Sequence, residues 1–291
     1  MSLGKSRLLP AWPLSRKVRL RAAIIAIVGM CMLLVLPWRS RHPVDFSDPE
    51  KFVVRTKNKD GSELVLKRVN SFADGFETGI ERRIEGWHQQ MKLASGSKAG
   101  NAANNVETTT EQVHTGKFSL KTYTPTDPND LQKAAVLREL FFFPPGSDCW
   151  FSAWFFIPGK SNIENLFIFD LEATEYHGVG RRLMFTGPNG HYLMLEGKRS
   201  TGPQYSQTKN PVPFPRDQWV HLKLHLHLSP DDAGRVELWQ DGKLILDKQG
   251  PNIPHNTFYD RIEVGQTANS THQALTMYVD DVQVSDKPID D

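Results

Sequence analysis

Two carboxylates in the middle of the chain have the spacing that acid–base chemistry requires. Asp170 and Glu172 lie in an apolar run, Asn165–Glu172, that predicts a β-strand. Residues two apart on a strand project from the same face, with Cα atoms ~6.5–7 Å apart. Carboxyl groups at that spacing could act as a general acid and an assisting acid. Hydrogen bonding to a ligand hydroxyl and simple surface placement explain the same pair, and both alternatives stay open.

A second pattern with possible chemistry is a strand that carries three histidines. Residues Trp219–Ser229 alternate strictly, with aliphatic side chains on one face and His221, His225 and His227 on the other. Imidazoles are common metal ligands. A backbone spacing of ~6.5–7 Å between alternate residues is poor for convergence on one ion, however. We therefore expect a half-buried strand whose histidines face solvent.

The elements that must position these residues are short strands. Ten strand-like runs alternate with turn signals and show little helical periodicity: Phe118–Tyr123, Val136–Phe143, Trp150–Ile157, Leu166–Leu171, Tyr192–Glu196, Trp219–Leu228, Arg235–Trp239, Lys243–Leu246, Ile262–Val264 and Met277–Val284. This pattern predicts an all-β, antiparallel jelly-roll β-sandwich. We place that domain at residues 72–291. Residues 39–71 form a linker with a possible β-hairpin around the turn at residues 58–61.

An apolar segment near the N-terminus predicts a membrane anchor. Ala22–Leu36 contains no charge, and we interpret residues 22–38 as one transmembrane signal anchor that follows a basic cytoplasmic segment, residues 1–21. Because the apolar stretch is short for a span, a cleaved signal peptide and a buried helix stay open. The bulky, charged exit favours an uncleaved anchor. The positive-inside rule then places the C-terminal domain in the periplasm or outside the cell.

Charge and cysteine content narrow the functional classes. Residues 1–41 hold eight of the 35 basic residues and no acid, so the remaining 250 residues carry 27 basic and 33 acidic side chains, a net charge of −6. A mildly acidic domain argues against nucleic acid as a partner, because phosphate binding needs clustered cations. Cys31 and Cys149 fall in different compartments on this interpretation, so they cannot pair.

Several phrases of the sequence resemble a known superfamily. They are Asp74–Gly79 with Trp87, His114–Lys121, Trp154–Pro158, Trp219–His221, Gly234–Lys243 and Met277–Val284. Over residues 72–285 the chain is similar to concanavalin A-like lectins and glucanases, and it looks closest to heparin lyase I-like and alginate lyase-like polysaccharide lyases. Lectins, glycan-binding modules, hydrolases and lyases share this fold, so the resemblance implies the fold more than the activity.

The chain departs from the enzymes that it resembles. The lyases carry a Gln-x-His element on the central strand, and the corresponding run Asn165–Glu172 has neither residue. Laminarinase-like hydrolases place three acids there as Glu-x-Asp-x-Glu, whereas this chain has Ile168, Asp170 and Glu172. A retaining hydrolase would then need its nucleophile from Glu164 or Glu175. The expected catalytic motif is therefore incomplete.

The resemblance nevertheless implies a set of site residues. A lyase needs a base near the sugar C5, and Tyr192, His177, His191 and Tyr205 are of suitable type. Arg182 or Lys198 could stabilise the enolate-like charge. We therefore assign two candidate groups: catalytic residues Asp170, Glu172, Tyr192 and His177, and substrate-binding residues Trp154, Arg182, Lys198 and Tyr205.

Similar jelly rolls often hold a structural calcium ion. Glu77, near the first strand, and Asp281, in the last, supply the hard carboxylate oxygens that calcium prefers. Glu77 and Asp281 are therefore candidate calcium ligands, and the alternative interpretation is that both acids are turn and edge residues.

The leading hypothesis is a membrane-anchored, extracytoplasmic protein that binds a polysaccharide. The alternatives are an active polysaccharide lyase or glycoside hydrolase on the same fold, and a protein–protein adhesion module. They differ in a measurable outcome, since only an enzyme would produce unsaturated sugar ends or new reducing ends.

Overall fold

The computed structural model describes residues 44–58, 60–80, 86–92, 104–129, 131–174, 178–199 and 202–290. The residues of the predicted cytoplasmic segment and of the predicted anchor, 1–21 and 22–38, lie outside these ranges. No helix among the described residues is long and apolar enough to span a bilayer.

Two antiparallel sheets build the domain. One has seven strands in the order β12-β11-β10-β9-β16-β7-β4. Their bounds are β12 Tyr205–Ser206, β11 Tyr192–Lys198, β10 Val179–Thr186, β9 Leu166–Ala173, β16 Arg261–Asn269, β7 Gln132–Arg138 and β4 His88–Lys92. Strands distant in sequence, such as β9 and β16, are neighbours, which is the crossover connectivity that a jelly roll requires.

The second sheet has eight strands, seven of them in the order β15-β14-β13-β8-β17-β6-β5, and the eighth, β3, pairs with β17. Their bounds are β15 Lys243–Gln249, β14 Arg235–Gln240, β13 Trp219–His227, β8 Asp148–Phe156, β17 Leu275–Ser285, β6 Ser119–Thr124, β5 Asn105–Thr109 and β3 Phe72–Asp74. The predicted all-β, antiparallel sandwich is confirmed.

A small hairpin precedes the sandwich and is fastened to it. Strands β1 (Val54–Lys57) and β2 (Glu63–Leu66) pair on either side of the predicted turn. Arg68 then donates from Nε to the Phe52 carbonyl (2.7 Å) and from Nη1 to Asp260 Oδ2 (3.3 Å). Because the side chains of both Arg68 and Asp260 are largely buried, this ion pair ties the linker region to the domain.

The core lies between the two sheets and follows from period-two alternation. In β13 every second residue, from Val220 to Leu226, is buried, while the intervening histidines and lysine are half-exposed. The predicted alternation of this strand is therefore confirmed. Strand β9 is buried along its whole length, and its inward residues Phe169 and Leu171 join the same core. Its outward residues consequently need partners on the outer face of the seven-stranded sheet.

Candidate functional site

The outer face of the seven-stranded sheet carries a network of paired charges, which we call the charged face. Asp170 and Glu172 alternate with core residues on β9 and therefore point outward, on the same face, as predicted. They are 1% and 0% exposed. A buried carboxylate is costly unless it is paired, so the contacts of these two acids define the site.

Each of the two carboxylates has its own set of partners. Asp170 accepts a hydrogen bond from Thr267 Oγ1 (2.7 Å) on one oxygen and from Lys198 Nζ (2.9 Å) on the other. Glu172 accepts from Lys198 on Oε1 and from Arg261 on Oε2. Lys198 thus bridges both acids.

A third buried acid completes the carboxylate layer. Glu263 on β16 lies directly across from Asp170 in the strand register and pairs with Lys133 of β7. Carboxylate oxygens of Asp170, Glu172 and Glu263 all lie within 4.8 Å of one another. Three carboxylates at that spacing could hold a cation, and here Lys198, Arg261 and Lys133 pair with them.

The charges are arranged in two levels. The acidic side chains Asp170, Glu172 and Glu263 are at most 2% exposed, whereas those of Lys133, Lys198 and Arg261 are 15–18% exposed. A ligand on this face therefore meets ammonium and guanidinium donors first. The buried acids hold those donors in place.

A glycine lets the lysine reach across a strand. In the register, Gly180 of β10 lies between Lys198 of β11 and Glu172 of β9. Neighbouring strands are about 4.8 Å apart, so Lys198 must span two such steps. A Cβ on Gly180 would also lie 2.0 Å from the Leu171 carbonyl oxygen. Glycine is thus needed at position 180 for two reasons. A Cβ there would prevent the close contact of β10 with β9, and a side chain would block the path of Lys198 to Glu172.

An arginine and an apolar patch flank the network. Arg182 donates to Glu196 Oε2 from Nε (3.0 Å) and Nη2 (2.5 Å), and its guanidinium lies 4.0 Å from the centroid of the Phe167 ring. Phe167 clusters with Met184, Met194 and Ala268, which are nearly buried. Charged donors and an apolar strip therefore lie side by side on the outer face of the sheet.

Of the other predicted catalytic residues, one shares this face. Tyr192 is half-buried and alternates in phase with Met194, Glu196 and Lys198 along β11. Glu196 is four positions further along the strand, which corresponds to roughly 13 Å. His191 lies next to Tyr192 in a turn, with the two rings edge to face. His177 lies outside the described residues.

Two predicted substrate-binding residues do not belong to this group. Trp154 is on β8, in the eight-stranded sheet, and its ring stacks on His114 (3.7 Å) and His221 (4.9 Å) on the outer face of that sheet. Tyr205 is only 6% exposed and packs in the core, where its hydroxyl donates to the Pro251 carbonyl (3.1 Å). The structure therefore does not bring these two residues together with the charged face, because Trp154 belongs to the other sheet and Tyr205 to the interior.

Several residues of the charged face were not found from the sequence. Lys133, Arg261, Glu263 and Thr267 come from β7 and β16, which are remote in sequence from β9. His88 of β4 joins the same cross-strand row as Asp170, through Leu137 and Glu263. The only sequence signal was the alternation of polar residues in Arg261-Ile262-Glu263 and Glu196-Gly197-Lys198, which shows a face but not its neighbours.

The predicted calcium ligands lie in a separate acidic cluster at one end of the eight-stranded sheet. Glu77 Oε1 accepts hydrogen bonds from the backbone amides of Lys117 (2.9 Å) and Phe118 (3.0 Å), which hold its pKa below the usual range, against an opposing effect of the Asp281 charge. Asp281 accepts from Thr115 Oγ1 (2.7 Å) and contacts His114 Nδ1 (2.7 Å).

The pKa of the neighbouring Asp280 shows that this cluster concentrates negative charge. Its carboxylate is fully buried, and burial raises its pKa to about 6, with a further contribution from the adjacent Asp281 charge. The backbone amides of His114 and Thr115 oppose the shift. The Asp281 charge thus acts to raise the pKa of both neighbours, but the oxygens of Glu77, Asp280 and Asp281 do not all lie within 4.8 Å of one another, unlike those of Asp170, Glu172 and Glu263.

Comparisons with known proteins agree with this architecture. A family model described as polysaccharide lyase matches residues 76–283. The cellulose induced protein Cip1 superposes with a TM-score of 0.53 and 17% identity, over 75% of this chain and 98% of that one. The endo-β-1,4-glucuronan lyase from the fungus Trichoderma reesei gives 0.56 and 14%, over 75% and 95%. The alginate lyase Aly36B gives 0.48 and 10%, over 77% and 100%. No curated protein sequence matches the chain.

Proposed function

The chain belongs to the polysaccharide lyase family, and on that premise we propose that its charged face binds an acidic, uronate-containing polysaccharide. The observation that carries the proposal is the two-level arrangement of charge, with cationic donors above buried carboxylates. The glucuronan lyase of similar fold has, by its name, a glucuronic acid polymer as its substrate. The same class of ligand suits the donors of this chain.

The chemistry of the accessible layer favours carboxylates and hydroxyls. Guanidinium groups bind carboxylates through two parallel hydrogen bonds, and an ammonium group offers three donors. Arg182 presents its guanidinium between Glu196 and the Phe167 ring, with 17% of its side chain exposed. A uronate carboxylate could share such a donor with the resident acid, while sugar hydroxyls bond to the remaining N–H groups. Acidic and basic side chains nearly balance one another on this face. We therefore expect a polyuronate to be recognised by the positions of individual donors rather than by the net charge of the domain.

Binding to defined polysaccharides tests this proposal. We expect the full-length chain to be retained on a polyuronate and to bind a neutral glucan of similar length at least about ten-fold more weakly. Arg182→Met should lower polyuronate affinity by a similar factor. Arg235→Met is a matched control, because Arg235 pairs with Glu237 and Asp247 on the other sheet. Equal retention on both polysaccharides, or full affinity in Arg182→Met, would contradict the proposal.

Catalysis by β-elimination is the second candidate, and the position of His88 favours it. Its half-buried imidazole lies on the outer face, two strands from Glu263, about 10 Å away at the backbone. As a base it would take the proton from the sugar C5, the C4–O bond would break, and the leaving oxygen would acquire a proton. The cations of the charged face would stabilise the charge on the uronate carboxyl in the transition state. Tyr192 lies further along the strand and is less well placed.

Product formation separates binding from catalysis. An active lyase produces an unsaturated sugar end that absorbs in the ultraviolet, whereas a hydrolase produces only new reducing ends. If elimination occurs, His88→Gln should abolish the absorbance change and keep polyuronate binding. Binding by the unaltered protein without any new absorbance would exclude the lyase and leave the binding function intact.

The site of action follows from the N-terminal segment. We place the domain outside the cytoplasm, held by residues 22–38, on the support of their apolar composition and of the basic residues that precede them. The full chain should stay in the membrane fraction after a carbonate wash, and a variant without residues 1–38 should not. Release of the full chain by the wash would contradict the anchor.

We propose a structural calcium ion at Glu77 and Asp281, with Asp280 beside them, on the support of the carboxylate oxygens that these residues supply. A ligand that binds only the folded state raises its stability, by about 2.7 kcal/mol at a hundred-fold excess over Kd. We therefore expect calcium to raise the Tm of the unaltered protein, and Glu77→Gln to remove that rise. An equal rise in both proteins would place the calcium elsewhere.

A further inference from the structure

The outer face of the eight-stranded sheet carries a second cluster of ligating side chains, far in the topology from the charged face. His225 and His227 project from β13, Asp148 begins β8, and Glu237 comes from β14. The register pairs His227 with Asp148 and His225 with Glu237. Strand pairing thus brings two imidazoles and two carboxylates together from three adjacent strands.

The contacts within this cluster converge on one carboxylate oxygen. Asp148 Oδ1 lies 2.8 Å from His225 Nε2 and 3.1 Å from His227 Nδ1. The other nitrogen of His225, Nδ1, lies 2.8 Å from Glu237 Oε2. His225 therefore has a carboxylate at each of its two ring nitrogens.

That arrangement leaves one ring nitrogen of His225 available as a ligand. A neutral imidazole carries one N–H and one lone pair, so it can donate to only one of two carboxylates. If Nδ1–H donates to Glu237, the lone pair of Nε2 points toward Asp148 Oδ1, and a cation that binds both atoms would stabilise the pair. A carboxylate that accepts the outer N–H of a ligating histidine is the usual support of a metal-bound imidazole.

We propose that Asp148, His225 and His227 form a site for a divalent transition-metal ion of the zinc class, with Glu237 orienting His225. Two imidazoles and one carboxylate suit zinc, copper or nickel, whereas calcium and magnesium prefer sites built from oxygen ligands alone. The proposal is independent of the function of the charged face.

The exposure of the ligands makes the site reachable and adjustable. The side chains of Asp148 and His227 are 43% and 39% exposed, so an ion can enter from solvent and a coordination position stays open to water. As they stand, the three ligand atoms do not all lie within 4.8 Å of one another, unlike those of Asp170, Glu172 and Glu263. Binding therefore requires the two exposed side chains to move toward the more buried His225.

A stacked tryptophan provides a direct readout. The Trp150 ring lies 4.0 Å from the His225 ring and nearly parallel to it, and Trp239 lies 6.0 Å from Trp150. Copper and nickel ions quench tryptophan fluorescence at short range. We expect copper to quench a fraction of the emission of the tag-free, full-length chain in a saturable manner, and zinc to displace it. Calorimetry with zinc chloride should give one ion per chain.

Matched variants decide the assignment. His227→Gln and Asp148→Asn should each lower zinc affinity by about ten-fold or more, and Glu237→Gln by a factor of about 10–100 through the orientation of His225. His255→Gln removes an exposed histidine in a loop and should change nothing. Circular dichroism verifies that each variant is folded. If Asp148→Asn does not fold, His227→Gln, at an exposed position, is sufficient by itself to test the site. Absence of saturable zinc binding, or full affinity in His227→Gln, would overturn the proposal.

Discussion

Replacement of Lys198 by Met tests the two-level arrangement of charge most directly. Lys198 is the only cation among the described residues that contacts Asp170, and it also pairs with Glu172. The change shortens the side chain by one atom and removes its charge. Asp170 then retains only Thr267, while Glu172 retains Arg261. Both acids are at most 1% exposed, so their charge would be left largely uncompensated.

The magnitude follows from the burial of the partners. Loss of one member of a buried ion pair costs about 3–5 kcal/mol. Because the Lys198 side chain is 18% exposed, water can partly replace it, and we expect the lower end, about 3 kcal/mol. For a domain of this size each kcal/mol corresponds to roughly 2–4 °C, so Tm should fall by about 6–12 °C.

The assay is thermal and urea unfolding of the full chain, with two further variants. Lys160→Met, at an exposed turn, is the matched control and should stay within about 0.5 kcal/mol. Asp170→Asn combined with Lys198→Met should recover part of the loss, with a coupling free energy of about 1–3 kcal/mol. A loss below about 0.5 kcal/mol in Lys198→Met, or strict additivity in the double variant, would refute the idea that these carboxylates depend on the lysine.

Three further predictions concern the framework of the domain. Burial raises the pKa of the Tyr259 hydroxyl above its usual value of about 10. The stability that this shift contributes is therefore complete below pH 10 and is lost as the pH rises toward the pKa of the folded state. Tyr259→Phe should reduce the decrease of the urea midpoint in that pH range. Gly180→Ala should lower the free energy of unfolding by about 3 kcal/mol, measured in urea, because its Cβ would collide with the Leu171 carbonyl oxygen. Gly242→Ala is the control, because a Cβ there meets no atom within 4 Å and the variant reports only the strain of the positive φ. Arg181→Met should cost about 3 kcal/mol or more, because the fully buried guanidinium donates to the carbonyls of Asn252, Pro203 and Pro251; a loss as small as that of Lys160→Met would contradict its role.

The parts of the fold that depend on one strand at a time could be predicted from the sequence. The alternation of β13 and the common face of Asp170 and Glu172 both follow from the two-residue period of a strand, and the structure confirms both. The family resemblance is confirmed in the same way, because it rests on contiguous phrases within residues 76–283. Local periodicity decides which residues share a face before any partner strand is known.

The membership of a sheet could not be predicted, because it depends on contacts between remote segments. Trp154 was assigned to the same substrate-binding group as Lys198 by residue type, yet β8 pairs with β13 and β17 and does not belong to the sheet that contains β11. Tyr205 was assigned to that group as well, and the short β12 turns its ring into the core. Neither location is visible in the local pattern, since aromatic residues suit a core and a sugar surface equally.

Strand pairing also explains why half of each site was missed. The partners of Glu172 lie 26 and 89 residues away, and nothing in the spacing of Asp170 and Glu172 indicates them. The same holds on the other sheet, where the backbone spacing of His225 and His227 argued against a shared ion. Asp148, 77 residues before His225, lies between the two rings and supplies a common oxygen that one strand alone cannot provide. Ligands for one ion on a sheet can thus come from neighbouring strands. Two histidines that are too far apart to share an ion within one strand can therefore still belong to one site, once the residues of the adjacent strand are known.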